Sequence, residues 1–174
     1  MEPLNVAIIG CGPAGLAAAL LLARQGHRIA IFDQFLAPGP VGSGLMIQPT
    51  GLAVLAQLGL AEAIVARGAR IDALEGIEEH GKRVLDASYA ALGLPGAFGI
   101  GIHRASLFAV LLDAAERQAG ITLHADHAVT GSTCDALGRR LTFAARDPSA
   151  PFDLVVDASG WRTQFDIAPK GILP

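Results

Sequence analysis

Leu4-Asn5-Val6-Ala7-Ile8-Ile9-Gly10-Cys11-Gly12-Pro13-Ala14-Gly15 is the stretch that decides the fold. Residues 4–9 form a short β-rich apolar run, and the pattern G-x-G-x-x-G follows it at once. Pro13 suits the first turn of a helix over residues 13–25, and Gly26 suits its stop. In this pattern the first glycine permits a tight turn, the second lets backbone approach a pyrophosphate, and the third lets helix lie close to strand. The free N–H groups and the positive helix end then face phosphates. Such a site calls for an acid about 20 residues on, at the tip of the second strand, to accept hydrogen bonds from a ribose diol. Residues 29–33 form that strand, and Asp33 closes it.

The rest of the composition narrows the class. The chain has 174 residues, 52% of them hydrophobic and 17% charged, enough for one domain with a sizeable core. Disorder and coiled coil are excluded by the same figures. The net charge is −3, and 13 Lys and Arg are scattered without a run, so the basic footprint of a nucleic-acid binder is missing. Cys11 and Cys134 lie far apart with no CxxC, which spells out neither a disulfide framework nor a zinc site and fits a reducing cytoplasm. Residues 4–23 carry no charge, yet Gly10, Gly12, Pro13 and Gly15 interrupt them, and a strand followed by a buried helix explains them without a membrane.

Strands and helices alternate along most of the chain, as parallel sheets with helical crossovers require. Residues 37–44 hold Pro38, Gly39, Pro40, Gly42 and Gly44 and are expected as a loop. Helices are expected at 49–58 and 61–67. Residues 70–88 read as two strands around a His80-Gly81 turn, an antiparallel departure from the rhythm, with Glu75, Glu78, Glu79, Lys82 and Arg83 on a solvated face. Residues 92–101 read as glycine-rich and irregular. Leu107, Leu111, Ala114 and Ala115 place a helix over 105–119, followed by a strand at 121–123. Residues 128–132 and 140–145 form a hairpin, and 152–158 read as a strand of the central parallel kind. The expected fold class is α/β: a Rossmann-like three-layer dinucleotide-binding fold with a parallel sheet, crossover helices and an antiparallel β insertion.

The opening GCGPAG with Asp33, the segment Gly42-Ser43-Gly44-Leu45 leading into Pro49 and Leu55-x-x-Leu58-Gly59-Leu60, the pair His103-Arg104, and Asp153-Leu154-Val155-Val156-Asp157-Ala158-Ser159-Gly160 occur in one order. Together they resemble the N-terminal FAD-binding half of the aromatic-hydroxylase-type (group A) FAD-dependent monooxygenases. The resemblance implies FAD as cofactor and NAD(P)H as transient co-substrate. It implies that Gly10, Gly12, Pro13, Ala14 and Gly15 hold the diphosphate, Asp33 the adenosine ribose, and Gln34 and Val129 the neighbourhood of the adenine. Gly44 would pass near the isoalloxazine, and Arg104 would meet the cofactor near its diphosphate, where a guanidinium pairs well. Ser159 and Gly160 would stand where the family typically has Asp-Gly. The implied domain is 1–174, with 70–101 as the start of a substrate-side β insertion and the C-terminal half of the family absent.

In the parent family a nicotinamide reduces FAD, the flavin reacts with O₂, and one oxygen passes to an aromatic or similar small organic substrate. The substrate domain that closes over the flavin supplies water exclusion, so this piece alone is expected to be inactive and no catalytic side chain is named. Ser159-Gly160 resembles variants among related flavin reductases and halogenases, which makes a reductase or halogenase-like oxidoreductase one alternative. A non-catalytic nucleotide-binding module that needs a partner chain is the other. His124-x-x-His127 is a weak metal pair, because a strand would spread the two rings to opposite faces, and no metal site is expected. Ser43 lacks the GxSxG frame of a nucleophile. Cys11 lies among amides that lower a thiol's pKa, although small residues there usually serve fit.

Overall fold

The computed structural model describes residues 2–37, 39, 42–94 and 97–160. In chain order the strands are β1 (Asn5–Ile9), β2 (Arg28–Phe32), β3 (Gly44–Ile47), β4 (Ala69–Ile71), β5 (Ala73–Ile77), β6 (Arg83–Ser88), β7 (Gly99–His103), β8 (Ile121–His124), β9 (Val129–Asp135), β10 (Gly138–Phe143) and β11 (Leu154–Asp157). The helices are α1 (Pro13–Arg24), α2 (Pro49–Gln57), α3 (Ala61–Val65) and α4 (Arg104–Arg117). They divide into two compact units, Met1–Gly39 with Asp113–Pro174, and Pro40–Leu112. The boundary falls inside α4, and residues 70–101 belong to the second unit.

The first unit is built on a parallel sheet in the order β11-β1-β2-β8. Strand alternation sends Ile8 toward α1 and Ala7 and Ile9 to the opposite face, so β1 is apolar on both sides. On one face α1 buries Leu16, Ala19, Leu20 and Ala23 at helical spacing. On the other, Ala7, Ile9, Phe32 and Leu141 form a cluster joined by Val129, Phe143, Phe152 and Val155 from the β9–β10 hairpin and the approach to β11. Each fully buried Ile or Leu here contributes about 1.5–3 kcal/mol, which makes this three-layer packing the main source of the unit's stability. His27 is buried without penalty, since its Nδ1 accepts the Leu4 N–H at 3.1 Å. Helix α1 ends as the sequence predicts, with Gly26 at φ +91° donating to Ala23 O. Strand β11 pairs with β1 on one side only among the described residues, and Leu154 is exposed, so this strand is an edge rather than the central strand its apolarity suggests.

The second unit holds an antiparallel sheet in the order β3-β7-β4 and a two-stranded ribbon β5-β6. The ribbon turns at Gly81 as expected, and Arg83 pairs with Glu75 at 2.6 Å and Asp86 at 2.7 Å on its exposed face. Strands β3, β4 and β7 are the departures from the sequence reading. Residues 99–101, the end of the stretch read as irregular, look so because glycine has low β propensity, but packing overrides propensity here. A Cβ at Gly99 would lie 2.9 Å from the Tyr89 hydroxyl, and one at Gly101 would lie 3.3 Å from Ile71 Cδ1, so glycine is what lets β7 pair with its neighbours.

Candidate functional site

Three glycines shape the crossover from β1 to α1, for different reasons. Gly10 adopts φ +100° and donates its N–H to Phe32 O at 2.8 Å, and a Cβ there would lie 2.6 Å from Ala158 O. A Cβ at Gly15 would run into the carbonyl oxygen of Gly10. Both are required by the chain's packing on itself. Gly12 is different: its backbone is extended (φ −78°, ψ 176°), and a Cβ there would meet nothing within 4 Å. Gly12 is also the N-cap of α1 and supplies no capping side chain, where Ser or Asp would serve the helix better. The first helical bond runs from Leu16 N–H to Gly12 O at 2.9 Å, so the Ala14 and Gly15 amides have no partner within the helix, and Pro13 has no N–H. Open space over Gly12 thus lies at the positive end of a helix whose first amides lack helical partners, an arrangement able to cradle an anion.

The Asp33 carboxylate lies at the rim of that crossover. Its Oδ2 accepts the Cys11 N–H at 2.7 Å and its Oδ1 the Phe35 N–H at 3.0 Å, which fixes both oxygens and leaves each with further accepting capacity. Gln34 follows on an exposed turn. Gly10 is backed by residues 158–159, so the turn after β11 abuts the cradle. In that turn the Asp157 Oδ1 accepts both the Ser159 N–H at 2.9 Å and the Ser159 O–H at 2.6 Å. Ser159 is therefore fixed by the Asp157 carboxylate through both its amide and its hydroxyl. Gly160 follows at φ +88°. Val129 opens β9 and packs against the Ala7-Ile9-Phe32-Leu141 cluster.

The first unit holds Gly10, Gly12, Pro13, Ala14, Gly15, Asp33, Gln34, Val129, Ser159 and Gly160, with the glycine crossover, Asp33 and residues 158–159 adjoining one another. Gly44 and Arg104 belong to the second. There Gly44 opens β3 opposite His103, Arg104 donates its backbone N–H to Ser43 O at 2.9 Å, and its guanidinium lies over Gly42, whose Cβ would stand 3.5 Å from Arg104 Nε.

One expectation is corrected, and one weighed alternative is set aside. His124 and His127 do not diverge, because β8 ends at His124 and the chain turns at Asp126 with φ +57°. Their rings meet with centroids 5.4 Å apart, His124 stacked on Phe32 at 4.8 Å. Burial, and secondarily His127, lowers the His124 pKa. Among the described residues no group of three ligating side chains surrounds a metal position. Cys11 is not activated by the loop amides: burial first, then the Asp33 and Glu116 carboxylates, push its thiol up to about 12. The turn at Asp126 was not read from the sequence, although Asp is among the non-glycine residues that most readily adopt positive φ.

Residues 3–154 match the FAD binding domain family. The chain belongs to this family. Over 92% of its length it is 31% identical to hispidin-3-hydroxylase of Neonothopanus nambi, of which it covers 38%. Over 63% of its length it is 33% identical to salicylate hydroxylase of Pseudomonas putida, of which it covers 26%. Among solved structures, 2-methyl-3-hydroxypyridine-5-carboxylic acid oxygenase superposes with a TM-score of 0.78 at 22% identity, over 94% of this chain and 41% of that one, a likeness in fold. This FAD-binding domain therefore corresponds to the N-terminal part of longer, aromatic-hydroxylase-type monooxygenases and spans well under half their length. Its own geometry fits the cofactor: the space over Gly12 is one a Cβ would fill, and Asp33 stands beside it. Among the described residues no helix is long and apolar enough to cross a membrane.

Proposed function

We propose that this chain is the FAD-binding portion of a monooxygenase that hydroxylates an aromatic or similar small organic substrate with NAD(P)H and O₂. The observation that carries the proposal is the open space over Gly12 at the N-terminus of α1, with the doubly anchored Asp33 carboxylate at its rim. The redox chemistry belongs to the flavin when it is bound. The chain's own residues bind and orient. The Gly12, Ala14 and Gly15 amides would take the diphosphate, and Asp33 would accept the ribose hydroxyls with Gln34 and Val129 beside the base. Ser159 and Gly160 would flank the diphosphate, and Gly44 and Arg104 would serve the flavin side from the second unit. In this reading residues 1–174 act as one FAD-binding domain, and residues 70–101 begin the substrate-side β structure. Exclusion of water around the reacting ring is supplied from outside this chain, by the remainder of a longer enzyme or by a partner chain.

Purification with the visible absorption of oxidised flavin, or FAD uptake by the colourless protein, tests the reading. Asp33→Ala and Gly12→Val should each weaken FAD at least tenfold, which is a loss of about 1.4 kcal/mol or more. Unchanged affinity in both would remove the cofactor from this crossover. Ser159-Gly160 supports a second reading, a flavin reductase or halogenase-like oxidoreductase. In the reconstituted enzyme, nicotinamide oxidation that never couples to oxygenation of any member of an aromatic-acid panel would favour it.

A further inference from the structure

The backbone of Asp33 is held at both its N–H and its carbonyl, and one turn supplies both bonds. Its N–H donates to His124 O at 3.0 Å, and its carbonyl accepts the His127 N–H at 2.8 Å. Two residues on, Phe35 O accepts the Asp126 N–H at 3.0 Å. Three backbone bonds thus sew residues 33–35 to residues 124–127. The turn that aims them is made by Asp126, whose φ of +57° is the only positive value at a non-glycine among the described residues. Arg146 fastens it, its Nε donating to Asp126 O at 3.2 Å and its Nη2 to Asp126 Oδ2 at 2.7 Å. A backbone held in the left-handed region persists only where its surroundings impose it, and such positions concentrate at ligand clamps.

We propose that Asp126, fastened by Arg146, is a positioning residue that sets the Asp33 carboxylate for the vicinal hydroxyls of a nucleotide ribose. The proposal rests on the assignment of Asp33 under "Proposed function". It adds that ribose recognition depends on a residue remote in sequence, just past the end of β8. Asp suits the position because its short side chain tolerates this conformation and reaches the guanidinium, whereas a β-branched residue cannot hold it.

The test is calorimetric titration of the chain with ADP and with 2′,3′-dideoxyadenosine diphosphate. The ratio of the two affinities isolates the hydroxyls that Asp33 accepts, and a general loss of structure would weaken both nucleotides alike. In the unaltered protein the ratio should be roughly tenfold or more, as hydrogen bonds to a charged acceptor give. Asp126→Val should bring the ratio below about threefold, while Asp126→Asn, which tolerates the conformation and can still accept from Arg146 but loses the ion pair, should lower it no further than Arg146→Gln does. Arg146→Gln should lower the ratio by about two- to fivefold, the reach of a half-exposed ion pair, and carries the test if Asp126→Val does not fold. A ratio unchanged in both Asp126→Val and Arg146→Gln overturns the proposal. A ratio near one in the unaltered protein instead overturns the assignment of Asp33 itself.

Discussion

Replacing Gly12 by alanine should separate binding from stability. The added Cβ meets no protein atom within 4 Å, and φ −78°, ψ 176° is backbone that alanine adopts freely. At an N-cap alanine is worse than glycine by roughly 0.5–1 kcal/mol, while the reduced entropy of the unfolded chain returns about 0.4–1 kcal/mol, so the net change is near zero. For a chain of this size the melting temperature should then stay within about 2 °C. Gly10→Ala is the contrasting control, because φ +100° and a Cβ 2.6 Å from Ala158 O add strain to a backbone clash. Its cost should be about 3 kcal/mol or more, a fall of roughly 6–12 °C. Ligand binding should invert this order of harm. Gly12→Ala should lose at least tenfold in FAD affinity, about 1.4 kcal/mol, because the methyl group occupies the space offered to phosphate. Melting curves with and without FAD, beside a flavin fluorescence titration, read both quantities, since a ligand raises the melting temperature only of protein that binds it. The reasoning fails if Gly12→Ala melts as low as Gly10→Ala, or if it keeps the affinity of the unaltered protein.

Four further outcomes are expected. The buried Cys11 should resist a thiol reagent in the native state at pH 8 while the exposed Cys134 reacts, giving one fast equivalent before denaturation and two after. An unfolded Cys11 loses its proton above its ordinary value of 9.0 and the folded one only near 12, so stability should fall across that window by up to about 1.4 kcal/mol per pH unit. Cys11→Ala should make the decline shallower; an identical slope would contradict the assignment. His124 behaves in the opposite sense. Its folded pKa is lowered, so as pH falls through 6.5 the unfolded state takes up a proton first and thermal stability should drop, whereas His124→Phe, keeping the stack on Phe32, should flatten melts between pH 7 and 5. In the second unit the buried Tyr89 donates its hydroxyl to Gln48 Oε1 at 2.6 Å, so Tyr89→Phe should cost about 1–2 kcal/mol, measured by denaturant unfolding.

The sequence by itself determined the first unit's sheet and the place of its cradle. A β-rich run, G-x-G-x-x-G, a helix closed by Gly26 and an acid at the next strand's tip are local signals, each written in adjacent residues, and β1, α1 and β2 lie where they point. The alternating remainder of that unit, with its hairpin and final strand, was equally legible because periodicity reports burial. Tertiary structure alone decided what depends on neighbours distant in sequence. Glycine-rich β7 became a strand because Tyr89 and Ile71 crowd its face, and β11 became an edge because pairing is not encoded in apolarity. Burial beside Asp33 made Cys11 inert in a loop that suggests reactivity. Only the folded chain could bring Asp126 to Phe35 and Arg146 to Asp126, since a contact across some ninety residues is chosen by packing and leaves no pattern in either segment.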